Sequence, residues 1–167
     1  MNKQLIPCLY LQAEKAVTGF GQRNLFGDGN VETLAKFYGD NGADELLVFD
    51  FSSADAEHDR AIGKIRDICQ VSEIPVIAAG NIKRMEDVQR ILYSGAKRVI
   101  LNFSKPDSAE MMAKAAERFG KEKVAVSLDD FDGLFKHQHL IEANCSQLIF
   151  MHRLDLNSVV AVTDIPC

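Results

Sequence analysis

Polar residues stand where short apolar runs end, and their types are those of an acid–base or anion-binding site. Asp50 lies near the end of "ELLVFDF", Gly80 and Asn81 end "IPVIAAGN", and Asn102 and Ser104 flank the end of "RVILNF". Asp129 and Asp130 close "KVAVSLDD", Arg153 and Asp155 follow "QLIFMH", and Tyr10 sits in the first run, "LIPCLYL". Carboxyl groups gathered at one end of several elements can trade protons when their surroundings hold them in different protonation states. A glycine allows a backbone to approach an anion closely, and Asn and Ser side chains donate hydrogen bonds to it. Gly80, Asn81, Asn102 and Ser104 therefore form a candidate phosphate-binding set, with Asp50, Asp130 and Asp155 as further pocket residues. His137 and His139 have no third ligand at a metal-binding spacing, so they are read as the polar tip of a hairpin after Asp132-Gly133, and no metal site is expected. "DDFD", residues 129–132, is read as a strand end followed by a turn.

These positions belong to one site only if the runs are strands of one sheet. The runs "LIPCLYL", "ELLVFDF", "IPVIAAG", "RVILNF", "KVAVSLD" and "QLIFMH" are almost continuously hydrophobic, which suits parallel strands covered on both faces. Between them Ile62, Ile65 and Cys69 recur at helical spacing, as do Met85, Val88, Ile91 and Leu92, then Met112, Ala115, Ala116 and Phe119. Gly42-Ala43 and Gly95-Ala96 end their helices alike, since glycine permits the left-handed turn back into a strand. The chain is thus a βα repeat, and two architectures fit it: an incomplete (βα)8 TIM barrel of about six βα units, or an open flavodoxin-like parallel sheet. In the barrel reading residues 1–167 are a single domain lacking the last two βα units, and the terminal "DIPC", which repeats the Ile-Pro-Cys of the first strand, is the start of a seventh strand. The glycine-rich stretch from Gln12 to Asn30 shows little helical pattern and is read as a loop on the ligand-binding face, either a mobile lid or an unstructured surface segment.

Composition narrows the partners. With 167 residues, 47% of them hydrophobic, the chain can bury a full core. The net charge of −5 and the dispersal of Lys and Arg argue against nucleic acid. No apolar stretch approaches the ~18 residues of a membrane span, and "MNKQLIPCLYLQ" does not read as a signal peptide, so a cytoplasmic protein without membrane contact is expected. Cys8, Cys69, Cys145 and Cys167 are far apart and read as reduced, mostly buried thiols. No cofactor is expected.

The stretches "IPCL", "GADELLVFDF", "IPVIAAGNIKRMEDVQRILYSGAKRVILN" and "VAVSLDDFDG" resemble, in order, the histidine-biosynthesis barrels: the cyclase subunit of imidazole glycerol phosphate synthase and the phosphoribosylformimino-aminoimidazole carboxamide ribotide isomerase. The resemblance implies a closed eight-stranded barrel, a substrate with a phosphate at each end, and two aspartates acting as general acid and base at the ends of the first and fifth strands. The fifth-strand aspartate matches Asp129; the first-strand aspartate matches Tyr10. A phenol with an ordinary pKa of about 10 donates a proton but is a poor base near neutral pH.

Other matched positions also depart. The family's loop lysine corresponds to Thr18, a polar residue and an aspartate near the sixth strand to Phe150 and Arg153, and its run of three glycines to Ala79, Gly80 and Asn81. The charged ring that the cyclase carries at the bottom of its barrel corresponds to Gln4, Glu45, Arg98 and Ser146, which puts pairing with a glutaminase in doubt.

Together these readings predict a catalytically degenerate barrel domain that binds a phosphorylated small molecule, or only keeps the fold, and serves sensing or assembly. Its partners would be further copies of itself or further domains of a longer chain, because the first and sixth strands of an unclosed sheet offer unpaired edges. The alternative is an active cyclase or isomerase acting on a phosphoribosyl imidazole precursor.

Overall fold

The computed structural model describes residues 4–19, 22–105, 107–129 and 131–150. The chain divides into two compact units, Met1–Ile100 and Leu101–Cys167.

The first unit opens with β1 (Cys8–Gln12), β2 (Lys15–Gly19) and β3 (Gln22–Leu25), followed by α1 (Val31–Asp40), β4 (Leu46–Asp50), α2 (Asp55–Val71), β5 (Val76–Ala79) and α3 (Met85–Tyr93). It ends within β6 (Arg98–Asn102). Its strands lie in the order β3-β2-β1-β4-β5-β6. β1 pairs with β4 in parallel, with Leu11 opposite Asp50, and β4 pairs likewise with β5, with Phe49 opposite Ala79. The parallel strands follow one another without reversal, which is barrel winding; a flavodoxin-like sheet reverses its order at a switch point.

Burial refines the expectation that both faces of the strands are covered. β1 and β4 alternate: Leu9, Leu11, Leu46, Val48 and Asp50 are buried, whereas Cys8, Tyr10, Leu47 and Phe49 are half-buried. The buried positions meet α1 and α2. In these two strands an almost continuous apolar run still shows a period of two in its burial, whereas β5 is buried at all four positions, as a strand covered on both faces is.

The stretch from Gln12 to Asn30 is not an irregular lid. β2 and β3 lie within it, and β2 pairs antiparallel with β1, placing Tyr10 opposite Val17 and Gln12 opposite Lys15. Burial of Ala16 and Val17 holds the hairpin on the sheet, and the Ala16 N–H donates to the Gly29 carbonyl at 3.0 Å. Two of its glycines have positive φ, Gly19 at the end of β2 and Gly27 in the turn after β3. This hairpin also removes the expected edge at β1, which is paired on both sides.

The second unit continues with α4 (Ser108–Phe119), a single 3-10 turn (Lys121–Lys123), β7 (Val124–Leu128), α5 (Phe131–Asn144) and β8 (Gln147–Phe150). β7 and β8 are parallel, with Leu128 opposite Phe150. The expected polar hairpin at His137 and His139 is instead α5. Leu134, Ile141 and Cys145 are buried at helical spacing, and this apolar stripe outweighs the turn signal of Asp132-Gly133. The helix is broken at His137, which has φ −123° and ψ 17°. Strands β1, β4, β5, β6, β7 and β8 alternate with five helices, as in an incomplete (βα)8 barrel. The residues of "VTDIPC" lie outside the described part.

Candidate functional site

Tyr10 emerges from the half-buried face of β1 among aromatic rings. Its ring centroid lies 5.4 Å from that of Phe51 and 6.5 Å from that of Phe49, and the Phe49 and Phe51 centroids are 4.8 Å apart. Gly19 makes room for it, since a Cβ there would lie 3.1 Å from the Tyr10 ring. Cys8, two residues earlier on the same face, shares a hydrogen bond with Tyr10. Burial raises the Tyr10 phenol above its ordinary pKa of 10.0, and Cys8 pushes it the same way. Tyr10 and Thr18 line one cavity of about 110 Å³ with Cys8, Phe26, Leu34 and Tyr38. This wall can hold a phenol as a hydrogen-bond donor, and it disfavours a phenolate acting as a base.

Asp50 ends β4 on the opposite, buried face, so its side chain meets helix α2. One oxygen, Oδ1, accepts the Ser52 N–H at 2.8 Å, and the other, Oδ2, lies 2.5 Å from Nδ1 of His58 and 3.3 Å from Nδ2 of Asn81. Asn81 also donates to the Ser52 carbonyl at 2.5 Å. Asp87, fully buried at the start of α3, accepts the N–H groups of Lys83 and Arg84 at 3.0 Å each, which caps that helix. His58 Nε2 lies 3.6 Å from Asp87 Oδ1. Gly80 has φ +88°, and a Cβ there would overlap the Asp50 carbonyl and lie 2.8 Å from its amide nitrogen. Only glycine fits this crossing of β5 over β4.

His58 and Asp87, which the sequence reading did not single out, form a buried cluster with Asp50. Asp87 falls inside the family-like segment "EDV", but nothing in the order of residues shows that it shares a buried cluster with Asp50.

In the second unit the chain after β6 brings Asn102, Ser104 and Asp129 together. The Ser104 hydroxyl donates to Asp129 Oδ2 at 2.7 Å, and the Ser104 N–H donates to Asn102 Oδ1 at 2.9 Å. The Ser108 hydroxyl reaches the Asn102 carbonyl at 2.6 Å, and the Phe103 N–H donates to the Ser127 carbonyl at 2.9 Å, which lays this loop beside β7. Asn102, Ser104 and Asp129 are all exposed. Gly80 and Asn81 belong to the first unit and Asn102 and Ser104 to the second. Asp130, Arg153 and Asp155 lie outside the described residues.

At the opposite ends of the first unit's strands, Glu45 is buried and both its oxygens accept from Arg98, at 2.7 and 2.8 Å; Lys97 contacts it as well. Gln4, the third member of the expected ring in this unit, is exposed. In the second unit Ser146 turns its hydroxyl to the Val124 carbonyl at 3.2 Å.

The model of the histidine biosynthesis protein family matches residues 4–161. Imidazole glycerol phosphate synthase subunit HisF of Staphylococcus epidermidis is 33% identical over 131 residues, covering 78% of this chain and 52% of that protein. The subunit of the same name from Methanocaldococcus jannaschii is 33% identical over 129 residues, 77% of this chain and 47% of that protein. That of Exiguobacterium sibiricum is 31% identical over 142 residues, 82% of this chain and 57% of that protein. The chain thus spans about half the length of the curated relatives it matches. Barrel-wound βα units and a family match running from before the first strand to beyond the last described one make this chain a member of the histidine biosynthesis protein family.

Proposed function

We propose that the chain is a catalytically degenerate barrel domain of this family, located in the cytoplasm, that binds a phosphorylated metabolite and serves sensing or assembly as an oligomer or within a longer protein. The observation that carries this reading is Tyr10, a phenol among Phe49 and Phe51 whose proton is held by burial. The family's acid–base pair, as the resemblance implies it, needs a carboxylate at this position, and loss of one partner of such a pair costs ~10²–10⁴ in rate. Asp129 is retained, exposed and hydrogen-bonded to Ser104.

Purified protein is expected not to turn over the substrate of the cyclase or of the ribotide isomerase. Tyr10→Asp is expected not to restore turnover, because Thr18, Phe150 and Arg153 still differ from the family pattern. A turnover number within tenfold of a typical enzyme's ~10 s⁻¹ in the unmodified protein overturns the reading. The one-third identity to imidazole glycerol phosphate synthase subunits favours a second reading, an active cyclase or isomerase, and that outcome would establish it.

A further inference from the structure

The cluster around His58 does more than fill space. His58, Asp50 and Asp87 are all buried, with relative exposures of 4%, 3% and 0%. Both ring nitrogens face carboxylate oxygens, Nδ1 toward Asp50 at 2.5 Å and Nε2 toward Asp87 at 3.6 Å, and Nε2 has no hydrogen-bond partner. A neutral imidazole carries one N–H, so one lone pair would point at a carboxylate. The doubly protonated ring instead presents a donor to each, and each carboxylate accepts backbone N–H groups on its other oxygen: Ser52 on Asp50, Lys83 and Arg84 on Asp87.

The surrounding charges leave His58 as the cation between these two groups. On its own helix Asp59 pairs with Arg90 of α3 at 2.5 Å, and exposed Glu57 is engaged by the Ser53 N–H. From the α3 side the Arg84 guanidinium touches Asp87 at 3.4 Å but is largely exposed. From α1, Glu32 pairs with Lys64 at 2.7 Å. β1, β4 and β5 bring no basic residue to the cluster.

We infer that His58 is an imidazolium clamp that ties the β4–α2 loop to the β5–α3 loop, so that loss of its proton loosens the segment carrying Asn81, Lys83 and Arg84. The other links between these elements are the exposed ion pairs Lys83–Asp55 and Arg90–Asp59 and the hydrogen bonds of Asn81 to Asp50 and to the Ser52 carbonyl, so His58 supplies the buried charge among them, and it does so whether or not an anion binds near Gly80. Its sign follows from the pairing: Asp50 raises the His58 pKa from its ordinary 6.5, so the stabilisation is complete below about 6.5 and is lost as pH rises through the folded-state value.

The direct test is the imidazole titration of His58 by NMR in the unmodified protein, with amide exchange of Ser52, Lys83 and Arg84 followed over the same pH range. Expected are a titration point above 6.5 and, after correction for intrinsic exchange, protection that falls about tenfold as His58 deprotonates. His58→Gln keeps a donor toward Asp50 without a charge and is expected to abolish that pH dependence. Asp87→Asn, which leaves His58 in place, is expected to lower its titration point. A titration point at or below 6.5, or protection with the same pH dependence in His58→Gln, overturns the clamp.

Discussion

At the scale of single residues, what matters is which backbone and which charge each side chain meets. Gly80 is irreplaceable for a local reason, since any Cβ there overlaps the backbone of Asp50, so substituting it would report misfolding rather than ligand affinity. The phosphate reading is better examined at Ser104, whose exposed hydroxyl holds Asp129 at 2.7 Å. The hydroxyl carries one proton, given to Asp129, so it must turn from Asp129 to donate to an anion; titration calorimetry with inorganic phosphate and with sugar phosphates is expected to show binding that Ser104→Ala weakens. Equal affinity in both proteins would place the anion elsewhere.

At the scale of elements, loops and helix starts fix the geometry that the residues use. Helix α1 begins at Asn30, whose Oδ1 accepts the Thr33 N–H at 2.8 Å, and Asn30 is itself oriented by Asp28, which accepts its N–H at 2.9 Å. This cap follows directly on the β2–β3 hairpin, so the same short stretch ends one motif and starts the next. Asn30→Ala is expected to cost about 1 kcal/mol, measurable as a lower urea midpoint with an unchanged denaturant slope. A loss below a few tenths of a kcal/mol would mean that burial of Val31 and Ala35 alone sets the helix start.

At the scale of the whole molecule, the proposed association rests on strand edges. The hairpin takes the edge of the first unit's sheet away from β1 and gives it to β3, only four residues long and polar in sequence, QRNL, which is a guarded edge. β8 pairs with β7, and among the described residues no strand lies on its other side, although Leu148 and Ile149 are only half-buried. Light scattering on a size-exclusion column is expected to give a dimer, and Ile149→Lys is expected to shift it toward monomer. A stable monomer at all concentrations would remove self-association from the proposed function.

The six parallel strands, the helices α1 to α4 and their alternation were legible in the sequence, because apolar runs and 3.6-residue spacing are local signals that tertiary structure needs. Membership of the histidine biosynthesis family was legible too, since the order of its motifs survives in one dimension. The β2–β3 hairpin was not: its pairing partner is another strand, and its glycines give the same composition as a loop. α5 was hidden for the opposite reason, a turn-like Asp132-Gly133 outweighed by burial of Leu134 and Ile141. Only the tertiary structure decided that Asp50 faces a helix and not the open side of the sheet. The one-residue alternation of a strand sends neighbours to opposite faces, so Phe49 and Phe51 join Tyr10 while Asp50 turns to His58.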